Sequence, residues 1–500
     1  MQATASLEEK ERKETERGTG KDGAETTESA ETLAPLVMRL SRYAKKERRA
    51  VGERAADGFF SYGWQRLIRQ ARGLAYAFSK GAPGEVCLIG GENYDTALFV
   101  LACFFSGRSF ALGESAEPPR SPSVLSETSE EKGEREKEAT ESQQARGEPR
   151  FAFLFDAAHA PEAERRYSGD TCLPVERIRS LAEENAEQGE ACWQQTVTIS
   201  EDMTVRFLPM EKGDSEEVYA LAPVLNALGF SAAVGLTKND ALLSVYSPRT
   251  PLGFFCGLLP ALAAGATYCF CRDRRFLLRE MRDFRPTVLL ASPSVSKAVL
   301  TRMQTLTVLH HKPARRRQAD DPTANAPKGE GATLDRKPEP EEQETEKNGC
   351  TTFGRFSECS DTMIHRLLQA TVRASFGGRL QTMAVAGVFP DADDTARALL
   401  GYGVSLLSFL PLRGCAFALW RTCPSGSEAW RLAEGLTADI CAVSPGGRGR
   451  ILLSGAGVRH GESEGLTAVP FSLRCEFGRN LWLVTPFFGY IRSPDTLILS

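Results

Sequence analysis

The sequence has no surplus of basic residues. Its 61 lysines and arginines stand against 65 aspartates and glutamates, a formal net charge of −4. Proteins that bind nucleic acid need positive charge to neutralise phosphate, so no nucleic-acid partner is predicted. The chain has only five histidines, and no group of cysteines and histidines has the spacing of zinc ligands. No metal ligand is predicted either.

Several common enzyme motifs are also missing. The sequence contains no GxxxxGKS/T loop for nucleotide phosphates, no HExxH zinc motif and no GxSxG nucleophile elbow. Any enzymatic function must therefore use a different kind of site. The apolar share of 42 % is nevertheless enough to build a large core, which excludes a wholly disordered chain.

The cysteines and the N-terminus indicate a cytoplasmic protein. The 13 cysteines form no CxxC pair, so the expectation is reduced and mostly buried thiols. The first residues have no apolar core and are acidic, unlike a secretory signal or a transit peptide. Residues 251–270 are apolar over about the length of a membrane span. Pro260 and three glycines interrupt them, however, so they predict a buried helix that runs into a strand, and no transmembrane segment.

Three polar tracts interrupt the chain. Residues 1–33, 118–150 and 312–349 are rich in Glu, Lys, Ser and Pro and contain few large apolar side chains. Such sequence cannot bury enough surface to offset chain entropy, so the tracts are predicted to be disordered. Because long surface insertions cost little free energy, residues 34–500 can still form one folded unit around them.

The rest of the chain alternates between helix and strand patterns. Apolar residues from Trp64 to Phe78 recur at helical spacing and predict a helix, with Ser61 as its cap. Short runs such as 86–89 and 287–290 are apolar on both faces, which is typical of buried parallel strands. The predicted fold class is therefore α/β, with parallel sheets flanked by helices.

The C-terminal part has a different pattern. Strands are predicted at 451–453, 471–477 and 481–484 with no helix between them. They indicate a small β-rich, barrel-like module over about 436–500.

Four segments resemble the large N-terminal domain of the adenylate-forming acyl-CoA synthetase family. They are SYGWQRL at 61–67, GEVCLIGGEN at 84–93, the region from Asp240 to Ser294, and LVTP…GYIRSPDT at 483–496. The resemblance implies the family's reaction. A carboxylic acid attacks the α-phosphate of ATP to give an acyl-adenylate and pyrophosphate, and the thiol of coenzyme A then attacks the adenylate. It also implies an acyl or CoA-type small molecule as ligand, with ATP and Mg²⁺ as cofactors only if activity is retained.

The loop that should hold the ATP phosphates departs from the family pattern. Where the family reads TSGTTGxPKG, residues 207–217 read FLPMEKGDSEE. Three residues remain as candidates for a vestigial ATP site: Lys212, Gly213 and Ser215. The same loop carries four acidic residues, Glu211, Asp214, Glu216 and Glu217. Since like charges repel, these carboxylates predict weak binding of a triphosphate.

Other ATP-handling positions are altered as well. The family's YGxTE motif provides a carboxylate for Mg²⁺, but the corresponding residues 409–414 read FLPLRG. Arg413 stands close to the position of the lost carboxylate and is a candidate phosphate contact. Gly387 matches the glycine that faces adenine in the family. The histidine of the PlxH motif is missing, because residues 248–251 read PRTP.

Two phenylalanines are candidates for the acyl-binding region. Phe254 and Phe255 are of a type that suits an acyl chain, and ordinary core packing is the alternative interpretation. No catalytic residue is predicted. The family's ribose-binding aspartate, hinge and C-terminal lid with its lysine would follow the GYxxxPxxT motif, and the sequence ends at Ser500. The lid is therefore expected to be absent.

Three hypotheses of function follow. The first is an acyl-CoA-synthetase-like protein that is catalytically impaired. The second is a divergent, active acid–CoA ligase, represented here by an incomplete gene model. The third is a non-enzymatic interaction protein that binds partners through its polar tracts, where Ser126, Thr128 and Ser129 lie in an acidic context suited to phosphorylation.

Overall fold

A computed structural model describes most of the chain outside the polar tracts. The described residues are 48–55, 58–80, 85–90, 93–113, 152–155, 172–193, 203–208, 216–221, 224, 229–271, 273–311, 363–387, 389, 391–425, 429–455, 458, 474–477 and 480–499. The predicted disordered tracts 1–33, 118–150 and 312–349 lie outside them.

The fold is built on two sheets, as the α/β prediction expected. In the described part of the chain the larger sheet has 14 strands, in the order β16-β17-β19-β20-β15-β14-β13-β12-β11-β9-β10-β1-β2, with β18 paired to β19. Strands β1 and β9 to β13 form its parallel part, β2 pairs antiparallel with β1, and every residue of β9 and of β11 is buried. The bounds of these strands are Arg49–Ala55 (β1), Gly58–Gly63 (β2), Ala241–Ser244 (β9), Thr267–Phe270 (β10), Val288–Ala291 (β11), Thr382–Ala386 (β12) and Ser405–Leu412 (β13).

Among the residues that the structure describes, the second sheet has six strands in the order β6-β5-β3-β4-β7-β8. Its first five strands are parallel, and β7 and β8 form an antiparallel hairpin. Their bounds are Val86–Ile89 (β3), Phe110–Gly113 (β4), Ala152–Phe155 (β5), Cys172–Pro174 (β6), Thr204–Phe207 (β7) and Glu217–Ala220 (β8).

The predicted helix at Trp64 is confirmed. It spans Trp64–Lys80 (α1) and buries the predicted apolar face, whereas Ser61, the predicted cap, lies in β2. The other α-helices with described bounds are Asn93–Ser106 (α2), Glu176–Glu184 (α3), Ala186–Trp193 (α4), Gly229–Val234 (α5), Pro251–Gly253 (α6), Leu259–Ala264 (α7), Leu277–Phe284 (α8), Pro293–His311 (α9), Met363–Ala374 (α10) and Ala392–Leu400 (α11). Almost every residue of α2 is buried, because the helix contacts α1, β1 and β3.

The apolar stretch 251–270 folds as predicted, as a buried helix followed by a strand. A π-helical turn, Phe254–Leu258, joins α6 to α7, and Gly265 ends the helix in the left-handed conformation before β10 begins. Among the residues that the structure describes, no helix has the length and apolar character needed to cross a membrane.

The C-terminal part is antiparallel, in agreement with the predicted β-rich module. Sequence patterns had indicated only part of it, because β14, β15, β16 and β20 were not recognised. The strands are Cys415–Cys423 (β14), Ala429–Leu432 (β15), Leu436–Cys441 (β16), Gly449–Gly455 (β17), Arg474–Phe477 (β18), Asn480–Ser493 (β19) and Thr496–Leu499 (β20). Strands β14 and β15 continue the main sheet, so the module shares its hydrogen bonding.

A polar cluster ties α3 to the core. Arg179 Nε donates a hydrogen bond to Asp95 Oδ1 at 2.6 Å, and its Nη2 lies 3.6 Å from Glu53 Oε1. The side chains of Asp95 and Glu53 are almost fully buried. The guanidinium also lies over the rings of Tyr62 and Tyr94, which stack with centroids 3.9 Å apart. One arginine therefore joins β1, β2 and α2 to α3.

The packing of α3 and α4 on α1 requires glycine. A Cβ on Gly73 of α1 would lie 2.1 Å from the carbonyl oxygen of Ala182, and one on Gly189 of α4 would lie 2.4 Å from that of Arg72. Because backbone atoms meet at both points, a larger side chain cannot be accommodated by rotation of a neighbour.

Buried thiols are numerous, as the cysteine usage predicted. Seven of the cysteines that the structure describes are buried thiols: Cys87, Cys103, Cys256, Cys269, Cys271, Cys415 and Cys423. Burial raises the pKa of the Cys415 thiol to about 12 and that of Cys423 to about 11. Both thiols are protonated at neutral pH and act as small apolar side chains.

Candidate functional site

The loop proposed to hold phosphate connects the two strands of a hairpin. Thr204 of β7 pairs with Ala220 of β8, and Phe207 pairs with Glu217 at the end nearest the loop. The hairpin therefore fixes both ends of the loop. The candidates Lys212, Gly213 and Ser215, and the acidic residues Glu211 and Asp214, lie outside the described residues. Their proposed role stays a prediction.

The two acidic residues at the end of this loop are paired with arginines. Glu217 Oε1 lies 3.3 Å from Arg413 Nε, and Glu216 Oε2 lies 3.2 Å from Arg206 Nη1. The sequence predicted that these carboxylates would repel the phosphates of a bound triphosphate. Because each is paired with an arginine, part of its charge is neutralised, and the predicted repulsion is reduced at Glu216 and Glu217.

Glu217 has a second partner in Tyr219. The Tyr219 hydroxyl donates a hydrogen bond to Glu217 Oε2, and its ring is almost fully buried. The ring packs edge-on against Phe207 and Phe255, with centroids 6.0 and 4.8 Å away. Glu217 is thus held by one buried and one half-exposed donor.

Arg206 sits between two carboxylates. Besides Glu216, its guanidinium contacts Glu85, with Nη2 3.3 Å from Oε2. Burial raises the pKa of Glu85, Arg206 opposes that rise, and the charge of Glu216 adds to it. The arginine therefore holds the start of β3 to the hairpin.

Arg413 occupies a tight turn between β13 and β14. Leu412 pairs with Cys415, so only Arg413 and Gly414 form the turn, and Gly414 adopts a φ of 82°. Glycine adopts that conformation without strain. The turn places Arg413 beside Glu217, the first residue of β8, and 40 % of the Arg413 side chain is exposed. The sequence located Arg413 at this point but did not predict its partner.

Gly387 lies at the end of β12 beside β13. Its N–H donates a hydrogen bond to the carbonyl oxygen of Phe409 at 2.9 Å, and its φ is 121°. A Cβ here would meet Pro293 at 3.7 Å, which is ordinary contact. The backbone conformation, and not a lack of space, therefore favours glycine. Its predicted contact with adenine stays a prediction.

Phe254 and Phe255 belong to the π-helical turn and are buried. Phe254 is 0 % exposed and Phe255 is 4 % exposed. Phe207 lies 5.6 Å from each ring, and Phe110 lies 6.1 Å from that of Phe254. This packing accords with the core interpretation of both residues. An acyl-binding role for them stays a prediction.

The described residues do not fit the Mg²⁺ ion that the family resemblance implies. Among them, no three His, Cys, Asp or Glu side chains gather in a way that could hold a metal ion. Mg²⁺ binds oxygen ligands, most often carboxylates. At 409–414 the structure instead presents the guanidinium of Arg413, a fixed positive charge.

Sequence reasoning missed Arg206 and Tyr219. Strand β7, TVRF, alternates between half-buried and buried residues, and this alternation was the available signal for Arg206. Strand β8, EVYA, does not alternate in this way, so the sequence offered no comparable signal for Tyr219.

Comparison with solved structures identifies the fold. VinN, in its complex with L-aspartate, has a TM-score of 0.60 at 14 % sequence identity, over 94 % of this chain and 99 % of that one. An artificially fused adenylation–PCP di-domain NRPS from Klebsiella oxytoca, NpsA–ThdA, has a TM-score of 0.58 at 13 % identity, over 94 % and 73 %. The adenylation domain of a keto acid-selecting NRPS module, bound to a keto acyl adenylate, has a TM-score of 0.58 at 13 % identity, over 95 % and 83 %.

The chain therefore has the fold of the adenylate-forming enzymes, as the resemblance of its motifs implied. No model of a protein family matches the sequence, and no curated protein matches it. At these identities the likeness concerns the fold, and function has to be argued from the site.

Proposed function

We propose that this chain is an acyl-CoA-synthetase-like protein in which adenylate formation is impaired. In this proposal the scaffold keeps affinity for an acyl or CoA-type small molecule, and the groups that handle the charge of ATP have been lost. The observation that carries the proposal is the ion pair between Arg413 and Glu217. By the family resemblance, Arg413 is close to the position expected for the Mg²⁺-binding carboxylate.

The physical argument concerns transition-state charge. Attack on the α-phosphate develops negative charge on oxygens that a metal and oriented N–H donors must stabilise. Loss of one such donor typically lowers the rate by about 10²–10³. A guanidinium supplies positive charge and hydrogen-bond donors, but it cannot coordinate phosphate oxygens as a metal ion would. The altered metal position is therefore expected to be enough to impair adenylation severely.

ATP–pyrophosphate exchange tests this proposal. We expect the purified full chain, given Mg·ATP and labelled pyrophosphate, to form no labelled ATP above background with short, long or aromatic carboxylic acids or with amino acids. A catalytically competent adenylation domain assayed in parallel shows that the conditions are permissive. Acid-dependent exchange by this chain would favour the divergent, active ligase.

A further inference from the structure

The ion pair between Glu217 and Arg413 lies at the surface of the candidate site. The Arg413 side chain is 40 % exposed, whereas that of Glu217 is 15 % exposed. A ligand can therefore reach the guanidinium from solvent. The pair is partly buried on the Glu217 side and open on the Arg413 side, so a competing anion approaches the arginine and leaves the glutamate in place.

Glu217 has a second hydrogen bond that does not involve Arg413. Tyr219 donates to the other carboxylate oxygen, Oε2, and its ring is fixed in the aromatic cluster below the hairpin. If Arg413 turns to another anion, Glu217 keeps the Tyr219 hydroxyl and gains water on its exposed side. The release of Arg413 does not leave a buried, unpaired carboxylate.

We propose that Arg413 is an anion-binding residue and that a phosphate-bearing ligand binds it, without a divalent cation, by taking the place of Glu217. The inference rests on the proposed function, because it names the ligand chemistry of the same site. No covalent step is involved: one ion pair is exchanged for another.

The chemistry of the guanidinium favours phosphate. Its planar array of N–H donors matches two phosphate oxygens at once, and these charge-assisted hydrogen bonds are among the stronger ones in proteins. The same positive charge repels Mg²⁺. A phosphate ligand is therefore expected to bind as the free anion and to bind less well when Mg²⁺ complexes it.

The test uses pyrophosphate as the probe, the full chain, and calorimetry in EDTA at fixed ionic strength. Glu217→Gln removes the competing charge but keeps a side chain able to bond Tyr219, and we expect affinity to rise about tenfold. Arg413→Gln removes a charged donor, and we expect affinity to fall at least tenfold. Far-UV and near-UV circular dichroism of both variants verify that they are folded.

Glu216→Gln is the matched control. It removes the same charge from the adjacent residue, which forms an ion pair with Arg206. We expect less than a threefold change in affinity. An equal gain in Glu216→Gln and Glu217→Gln would indicate general electrostatics and overturn the proposal. The proposal also fails if Glu217→Gln leaves affinity unchanged, if neither it nor the wild type binds pyrophosphate, or if binding requires Mg²⁺.

AMP in a parallel titration separates a bare phosphate site from a nucleotide site. If Glu217→Gln and Arg413→Gln change the affinity for AMP in the same directions as the affinity for pyrophosphate, the result supports binding through the phosphate group. AMP binding insensitive to both variants contradicts it. These outcomes are independent of pyrophosphate exchange, so a failed inference and a failed proposed function are distinguishable.

Discussion

Replacing Phe254 by alanine is expected to lower the free energy of unfolding by about 3–5 kcal/mol, the usual cost of a large cavity in a well-packed core. The side chain is fully buried and its ring meets those of Phe110, Phe207 and Phe255 at 5.1 to 6.1 Å. Urea denaturation followed by circular dichroism measures the change.

A matched control is Phe276→Ala, since that phenylalanine is 47 % exposed. Its loss is expected to change stability by about 0.5 kcal/mol or less. If Phe254→Ala has an equally small effect, then Phe254 does not support the core. Its alternative role as lining for an acyl chain would gain support from that result.

Replacing Arg179 by methionine is expected to destabilise the protein by about 3 kcal/mol. Methionine keeps much of the apolar contact with Tyr62 and Tyr94 but removes the charge that faces Asp95 and Glu53. Removing one partner of a buried pair leaves uncompensated charge, which typically costs about 3–5 kcal/mol. Thermal and urea unfolding at neutral pH measure the loss.

The control on the same helix is Arg177→Met. Arg177 Nη1 lies 3.7 Å from Glu184 Oε1, and both side chains are about half exposed. Such pairs contribute about 0–1 kcal/mol. Similar losses in the two variants would show that the Arg179 cluster does not anchor α3.

The sequence predicted those helices and strands whose spacing of apolar residues shows which of their faces are buried. The stripe of α1 requires one buried face, and the uninterrupted apolar runs of β3 and β11 require burial on both faces. The resemblance to the adenylate-forming family came from four segments with similar motifs, taken in their order and spacing. Ser61 was misplaced because strand β2 continues directly into α1, and the start of the apolar stripe does not show where the strand ends.

The site was predicted less completely than the fold. Arg413 could be located because it follows a recognisable strand. Its pairing with Glu217 could not, since the two residues belong to different sheets and meet only through the tertiary fold. The polar cluster around Arg179 was missed for the same reason: Glu53, Asp95 and Arg179 have no common motif.

The titration of Mg·ATP into the purified chain tests the central claim most directly. If Arg413 has replaced the metal-binding carboxylate, ATP affinity measured by calorimetry should be no higher with Mg²⁺ than with EDTA. Saturable, micromolar binding of Mg·ATP that is lost on chelation would contradict this account, because it would require a competent metal site.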